Sequence, residues 1–186
     1  DASVQVYDSN NSNETQLQNA QDAIAQNVDL IIISPTASSS CPAVLSLAEE
    51  SEIPVVIADV GTDSGTYEAF IVTPNLEGSQ ELGEYVLQYM KDNGYEGRAA
   101  QITGSLARNN IEQRYEGFNA ALEEFHVELA DYSQMSDFTR AEAEGIASDF
   151  LTTYSDLSVI FVHMDEPTLG AMVAVQNADK ADDVLV

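Results

Sequence analysis

Short apolar runs, small polar turns and amphipathic stretches follow one another in this order along the whole chain, and that alternation limits the fold more than any other feature. The apolar runs cover residues 4–7, 30–33, 55–58, 70–72, 99–103, 127–130, 159–162 and 184–186. Strands alternating with helical patterns predict βαβ units and parallel sheets. A chain of 186 residues with 44% hydrophobic content can bury a core as one large domain or as two small α/β lobes. In open α/β sheets ligands sit beyond the carboxyl ends of the strands, so the residues just after each apolar run carry the functional reading.

The intervening stretches read as helices. Asn13 opens the first, with Gln16 three residues on as a capping-box variant, and Leu17, Ala20, Ile24 and Val28 form its core stripe. A second follows Pro42 and ends before Ile53 and Pro54. The third begins after Asn75, is expected to bury Leu82, Val86, Tyr89 and Met90, and stops at Asn93 and Gly94, a left-handed cap. The fourth carries Ile111, Tyr115, Phe118, Leu122 and Phe125 on one face, and the fifth Ala143, Ile146, Phe150 and Tyr154. The sixth, entered through Pro167, is expected to bury Leu169 and Val173. A boundary between two lobes falls at Thr73–Pro74–Asn75, dividing the chain into 1–74 and 75–186.

Charge excludes whole classes of partner. Six Lys plus Arg stand against 32 Asp plus Glu, for a formal charge of -26. Phosphate backbones need clustered cations, so nucleic acid is excluded. The acidity reads as a solvated surface suited to a salty or extracytoplasmic habitat. Cys41 is the one cysteine, which rules out an internal disulfide and Cys-rich zinc sites. No apolar run of about 18 residues is present, so no membrane-inserting segment is expected.

Past the strands stand Asp8, Ser9 and Asn10; Ser34, Pro35 and Thr36; Asp59; Thr103, Gly104 and Ser105; and His163, Met164 and Asp165. Neutral hydrogen-bonding groups with a few carboxylates suit a polyhydroxyl ligand, because carboxylates accept from hydroxyls while amides and hydroxyls serve both ways. Phosphate-binding and dinucleotide-binding glycine motifs are missing from the sequence, and no cofactor is predicted. The G-x-S-x-G hydrolase motif is missing too, and neither His126 nor His163 has an evident nucleophile partner. Asp59, Asp63 and Glu68 have a loosely calcium-like spacing without the alternating oxygen ligands of a calcium loop. Asp59 at a third strand end also fits a phospho-acceptor, but the companion acidic pair and lysine of such domains are absent.

The ordered stretches Tyr-Asp-Ser-Asn-Asn at 7–11, Ser-Pro-Thr at 34–36, Ile-Pro-Val-Val-Ile-Ala-Asp at 53–59 and Asn-Leu-Glu-Gly at 75–78 form one series with three later ones. These are Arg-Tyr-Glu-Gly-Phe at 114–118, Asp-Phe-Thr-Arg at 137–140 and Asp-Glu-Pro-Thr-Leu-Gly-Ala at 165–171. Together they resemble the type I periplasmic sugar-binding proteins, in particular the ribose-binding branch. The resemblance implies two Rossmann-like lobes with parallel sheets, closing on a small sugar or sugar-like ligand in the cleft between them and presenting it to a membrane ABC permease or a sensor. It implies ligand contacts from Asp59 (carboxylate), Arg114 (guanidinium) and Phe138 (ring packing), and from Met164 and Asp165 after a later strand. It also implies a periplasmic or extracellular location, with room for a lipid anchor on sequence outside these residues. Val60 stands where ribose-type members carry Arg, and Met164 where they carry Asn, which points away from ribose toward a less hydroxylated, more apolar or differently substituted ligand. Relative to the family the chain starts at the second strand and stops before the last crossings, so a fragment with an incomplete first lobe is expected. Two alternatives stay open: the sensing domain of a receptor or lactose-repressor-type regulator, and an α/β enzyme using Asp59, Asp165 and His163.

Overall fold

A computed structural model describes residues 2–186, which divide into two compact units. The first comprises the described residues up to Thr73 together with Ala107–Asn110, and the second comprises Pro74–Leu106 and Ile111–Val186.

The first unit contains α1 (Asn13–Ala25), β1 (Ile31–Ile33), α2 (Cys41–Glu50), β2 (Val55–Ala58) and β3 (Ala69–Ile71). Its sheet has the order β1-β2-β3, all parallel, with Ile32 opposite Val56 and Ile57 opposite Phe70. Crossing helices bring Ala20, Cys41, Val44, Leu45 and Ala48 onto Ile33, Val55 and Ile57. Pro42 lies in the first turn of α2, where its missing N–H leaves no bond unmade. Burial raises the Cys41 thiol above its ordinary range, which disfavours the reactive thiolate.

The run at 4–7 does not form a strand. It pairs with no other described segment, and Val4 and Val6 are 83% and 86% exposed. The outer edge of β1 is consequently unpaired, Ile32 on it is 70% exposed, and a cavity of about 320 Å³ runs between residues 7–11, α1 and β1. An apolar alternating run needs a neighbour to become a strand, because its backbone groups are satisfied only by a ladder. The parallel sheet of this unit thus has three strands, with β1 at an open edge.

The second unit contains α3 (Asn75–Asn93), β4 (Arg98–Thr103), α4 (Asn109–Phe125, of which Asn109 and Asn110 group with the first unit), β5 (Leu129–Gln134), α5 (Arg140–Thr153), β6 (Leu157–Val162) and α6 (Asp165–Asn177). Its sheet has the order β5-β4-β6, again all parallel. The central strand β4 is buried over residues 99–103, the polar Gln101 and Thr103 included, as in a parallel strand covered on both faces. One core gathers Ile102, Phe150, Ile160 and Val175, and another Leu87, Met90, Phe118 and Val159. Phe118 stacks on Phe161 with ring centroids 4.2 Å apart.

Several expectations are corrected here. α1 opens at Asn13 as expected, but its cap is Ser12, whose hydroxyl accepts from the Thr15 amide, one position before the capping box read at Asn13. The Gln16 side chain instead reaches the Ser34 carbonyl and the Thr36 amide. β5 begins at Leu129, not at 127, and the segment 184–186 contributes a single bridge from Leu185 to Val159. The buried faces of α3 and α6 differ most. α3 buries Asn75, Ser79, Gly83, Leu87 and Met90 and leaves Leu82 and Tyr89 nearly half exposed. α6 buries Pro167, Gly170, Ala171, Ala174 and Val175 and leaves Leu169 and Val173 about as exposed. Close helix approach selects small residues over large ones. A Cβ on Gly83 would lie 2.7 Å from that of Ala121, and one on Gly170 would run into the Arg140 carbonyl. Gly94 ends α3 at φ 78, as its left-handed cap predicts.

Candidate functional site

Of the site residues singled out in the sequence, Asp59 stands just after β2 in the first unit, while in the second Phe138 follows β5, Met164 and Asp165 follow β6, and Arg114 lies on α4.

In the first unit Asp59 follows β2 directly. It adopts a left-handed backbone (φ 64), which Asp tolerates better than most residues, and its amide is tied to the Ile71 carbonyl. Its side chain is reached from the segment 107–110, which is fastened to this unit by several bonds. The Ser38 amide donates to the Ala107 carbonyl, the Ser38 hydroxyl accepts from the Asn109 amide, and Arg108 donates to the Thr36 carbonyl and to Asn11 Oδ1. Asn110 is thereby placed to donate from Nδ2 to Asp59 Oδ1 at 2.9 Å. Val60, next to Asp59, is 3% exposed and supplies no polar group.

In the second unit Arg114 on α4 is fixed as a fork. Nε donates to Asn75 Oδ1 and Nη1 to the His163 carbonyl, each at 2.8 Å, while Nη2 has no hydrogen-bond partner among the described residues. Two anchors hold the guanidinium plane without using its third nitrogen.

Beneath it His163 is 6% exposed, with both ring nitrogens committed. Nε2 lies 2.9 Å from Gln101 Oε1 and Nδ1 3.1 Å from the Thr103 hydroxyl. The Gln101 amide donates onward to Asn119 Oδ1, so its own oxygen accepts and Nε2 carries the imidazole proton. Burial, followed by the nearby Arg114 charge, lowers the His163 pKa to about 3. A buried, neutral imidazole with both nitrogens engaged is a structural element and not an available proton acceptor.

Phe138 also adopts a left-handed backbone (φ 55), uncommon for a bulky residue and maintained only where surroundings enforce it. Glu142 does so here. Its carboxylate accepts from the amides of Ser136, Asp137 and Phe138 and from the Ser136 hydroxyl, and these bonds, led by the Ser136 amide, hold its pKa below the usual carboxylate range. The Phe138 ring lies over Gly104, where a Cβ would come within 2.6 Å of it, and the Met164 methyl stands close by. Both side chains rest against the core of this unit. Met164 caps α6 with no side-chain hydrogen bond, and Asp165 is exposed in the first turn. Among the described residues no cluster of His, Cys, Asp and Glu could hold a metal.

Glu142→Ala is expected to free this loop at a cost of about 1 kcal/mol, since the bonds are solvent-screened. The stabilisation is present above the ordinary Glu pKa and is lost as pH falls through the lowered folded value. Denaturant titrations of wild type and variant at pH 7 and pH 3 would show the difference shrinking at the lower pH.

Sequence reasoning missed Asn75 as the anchor of Arg114, Asn110 as the partner of Asp59, and Glu142 as the brace of Phe138. Only Glu142 carried a local signal, as an acidic residue three positions after the helix cap Thr139.

The two units are parallel α/β domains, and the sequence match gives the family: residues 1–186 match the family described as periplasmic binding protein domain. The chain belongs to that family. It is 31% identical over 177 residues to the ribose import binding protein of Haemophilus influenzae, covering 94% of this chain and 59% of that protein. Among solved structures it is similar to a Mycobacterium smegmatis protein in complex with beta-D-fucofuranose (25% identity, TM-score 0.89, covering 97% of this chain and 62% of that one). It is also similar to an ABC transporter periplasmic solute-binding protein of Actinobacillus succinogenes with bound D-allose (26% identity, TM-score 0.84, covering 98% of this chain and 65% of that one). The chain thus spans about three fifths of the length of these relatives. No described helix is long and apolar enough to cross a membrane.

Proposed function

We propose that this chain is part of a non-enzymatic extracytoplasmic solute-binding protein that captures a small sugar or sugar-like molecule for an ABC transporter. The observation that carries the reading is similarity to a ribose import binding protein along 94% of the chain. Asp59 accepts from ligand hydroxyls, Arg114 donates to a ligand oxygen, Phe138 and Met164 pack against the apolar face of the ring, and Asp165 accepts from a further hydroxyl. The buried, fully bonded His163 argues against the enzyme alternative, which has no other histidine at a strand end. The permease partner, the periplasmic or extracellular location and a lipid anchor belong to the same reading.

Calorimetric titration of the whole native protein with D-ribose, D-allose, myo-inositol and L-arabinose tests it. Saturable one-to-one binding of at least one compound, without turnover, is expected. Absence of binding to all of them at millimolar concentration would overturn it.

A further inference from the structure

Asn110 holds a hydrogen-bonding arrangement that the reading so far does not use. It is 5% exposed, and its Nδ2 is committed to Asp59. That bond settles the orientation of the amide, because a carboxylate accepts and only the NH2 end can donate to it. The carbonyl end, Oδ1, is left buried without a hydrogen-bond partner, the only such side-chain atom among the described residues. A buried acceptor without a donor is costly in a folded protein and calls for an explanation. Its immediate partner is the strand-end carboxylate best placed to meet ligand hydroxyls. The neighbouring Val60 is apolar and buried, so it offers this acceptor no donor.

We propose that Asn110 is a specificity-determining residue whose Oδ1 accepts a hydrogen bond from a ligand hydroxyl beside the one that Asp59 accepts. The inference rests on the sugar-binding reading and deepens it. The end of the ligand that meets Asp59 and Asn110 carries two O–H donors on neighbouring carbons, as in a neutral polyol or sugar. A deoxy centre there leaves Oδ1 unpaired, and an anionic substituent there faces two acceptors.

The test uses the whole native protein and the compound that binds most tightly among D-ribose, D-allose, myo-inositol and L-arabinose, together with its single-deoxy analogues. Asn110→Ala is expected to weaken binding of the parent compound about tenfold. One deoxy analogue is expected to lose a similar factor against wild type and almost nothing against Asn110→Ala, since the lost hydroxyl and the lost acceptor are the same interaction. Asn110→Leu, which fills the space without a polar atom, provides the second variant if the alanine variant does not fold. A wild type that binds while both variants bind equally well would overturn the role of Asn110 alone. Equal losses for every deoxy analogue in wild type and variant would do the same. A wild type that binds none of the four compounds would overturn the sugar-binding reading and this inference with it.

Discussion

Replacing Arg114 by methionine is expected to weaken sugar binding by about 100-fold, because a hydrogen bond from a charged donor contributes roughly 1.5–3 kcal/mol and nothing of similar reach replaces it. Methionine keeps most of the side-chain bulk, so the loss comes from the guanidinium. The same change removes the donors to Asn75 Oδ1 and to the His163 carbonyl, so the ligand-free protein is expected to lose about 1–2 kcal/mol as well. Arg114→Lys separates the two effects. A single ammonium cannot satisfy both anchors and a ligand in one plane, so lysine is expected to recover part of the stability and little of the affinity. Calorimetric titration and denaturant melts on the three proteins supply both readouts. Unchanged affinity with a lowered melt would make Arg114 a purely structural fork.

Acid is expected to unfold the second unit through His163. Its pKa is lowered from the ordinary 6.5 to about 3, so between those values the unfolded chain binds a proton that the folded chain refuses. Stability therefore rises with pH across this window: the contribution is complete above pH 6.5 and is lost as pH falls toward 3. At about 1.4 kcal/mol per pH unit, the neutral imidazole costs roughly 3 kcal/mol at pH 4. Many carboxylates titrate in the same range, and relief of their mutual repulsion acts in the opposite direction. The informative quantity is therefore the difference between wild type and His163→Gln. The variant is expected to be less stable at pH 7, where the bonds to Gln101 and Thr103 are disturbed, and to lose less on acidification. Parallel stability curves for the two proteins from pH 7 to pH 4 would show that His163 does not carry the acid sensitivity. The effect reaches the candidate site directly, because the carbonyl of the same residue anchors Arg114.

Hydrophobic period alone determined much of this protein. Alternation of apolar runs with helical stretches specified parallel α/β units, and Gly94 marked the end of α3 because a left-handed cap favours the residue without a Cβ. Strand ends rich in neutral polar groups suit a hydroxyl-bearing ligand. Apolar pattern could not say which face of α3 or α6 packs. Tertiary contact chose the small faces, where Gly83 meets Ala121 and Gly170 meets the Arg140 backbone, because helix axes approach closely only where side chains are short. Nor could the run at 4–7 become a strand on its own pattern, since a strand needs a ladder partner and none of the described residues pairs with it. The arrangement around the site was decided in the same way. Asp59 meets Asn110 across 51 positions of sequence and Arg114 meets His163 across 49. Such bonds leave no local signature, because hydrogen bonding depends on where the fold brings two groups and not on the residues that flank them.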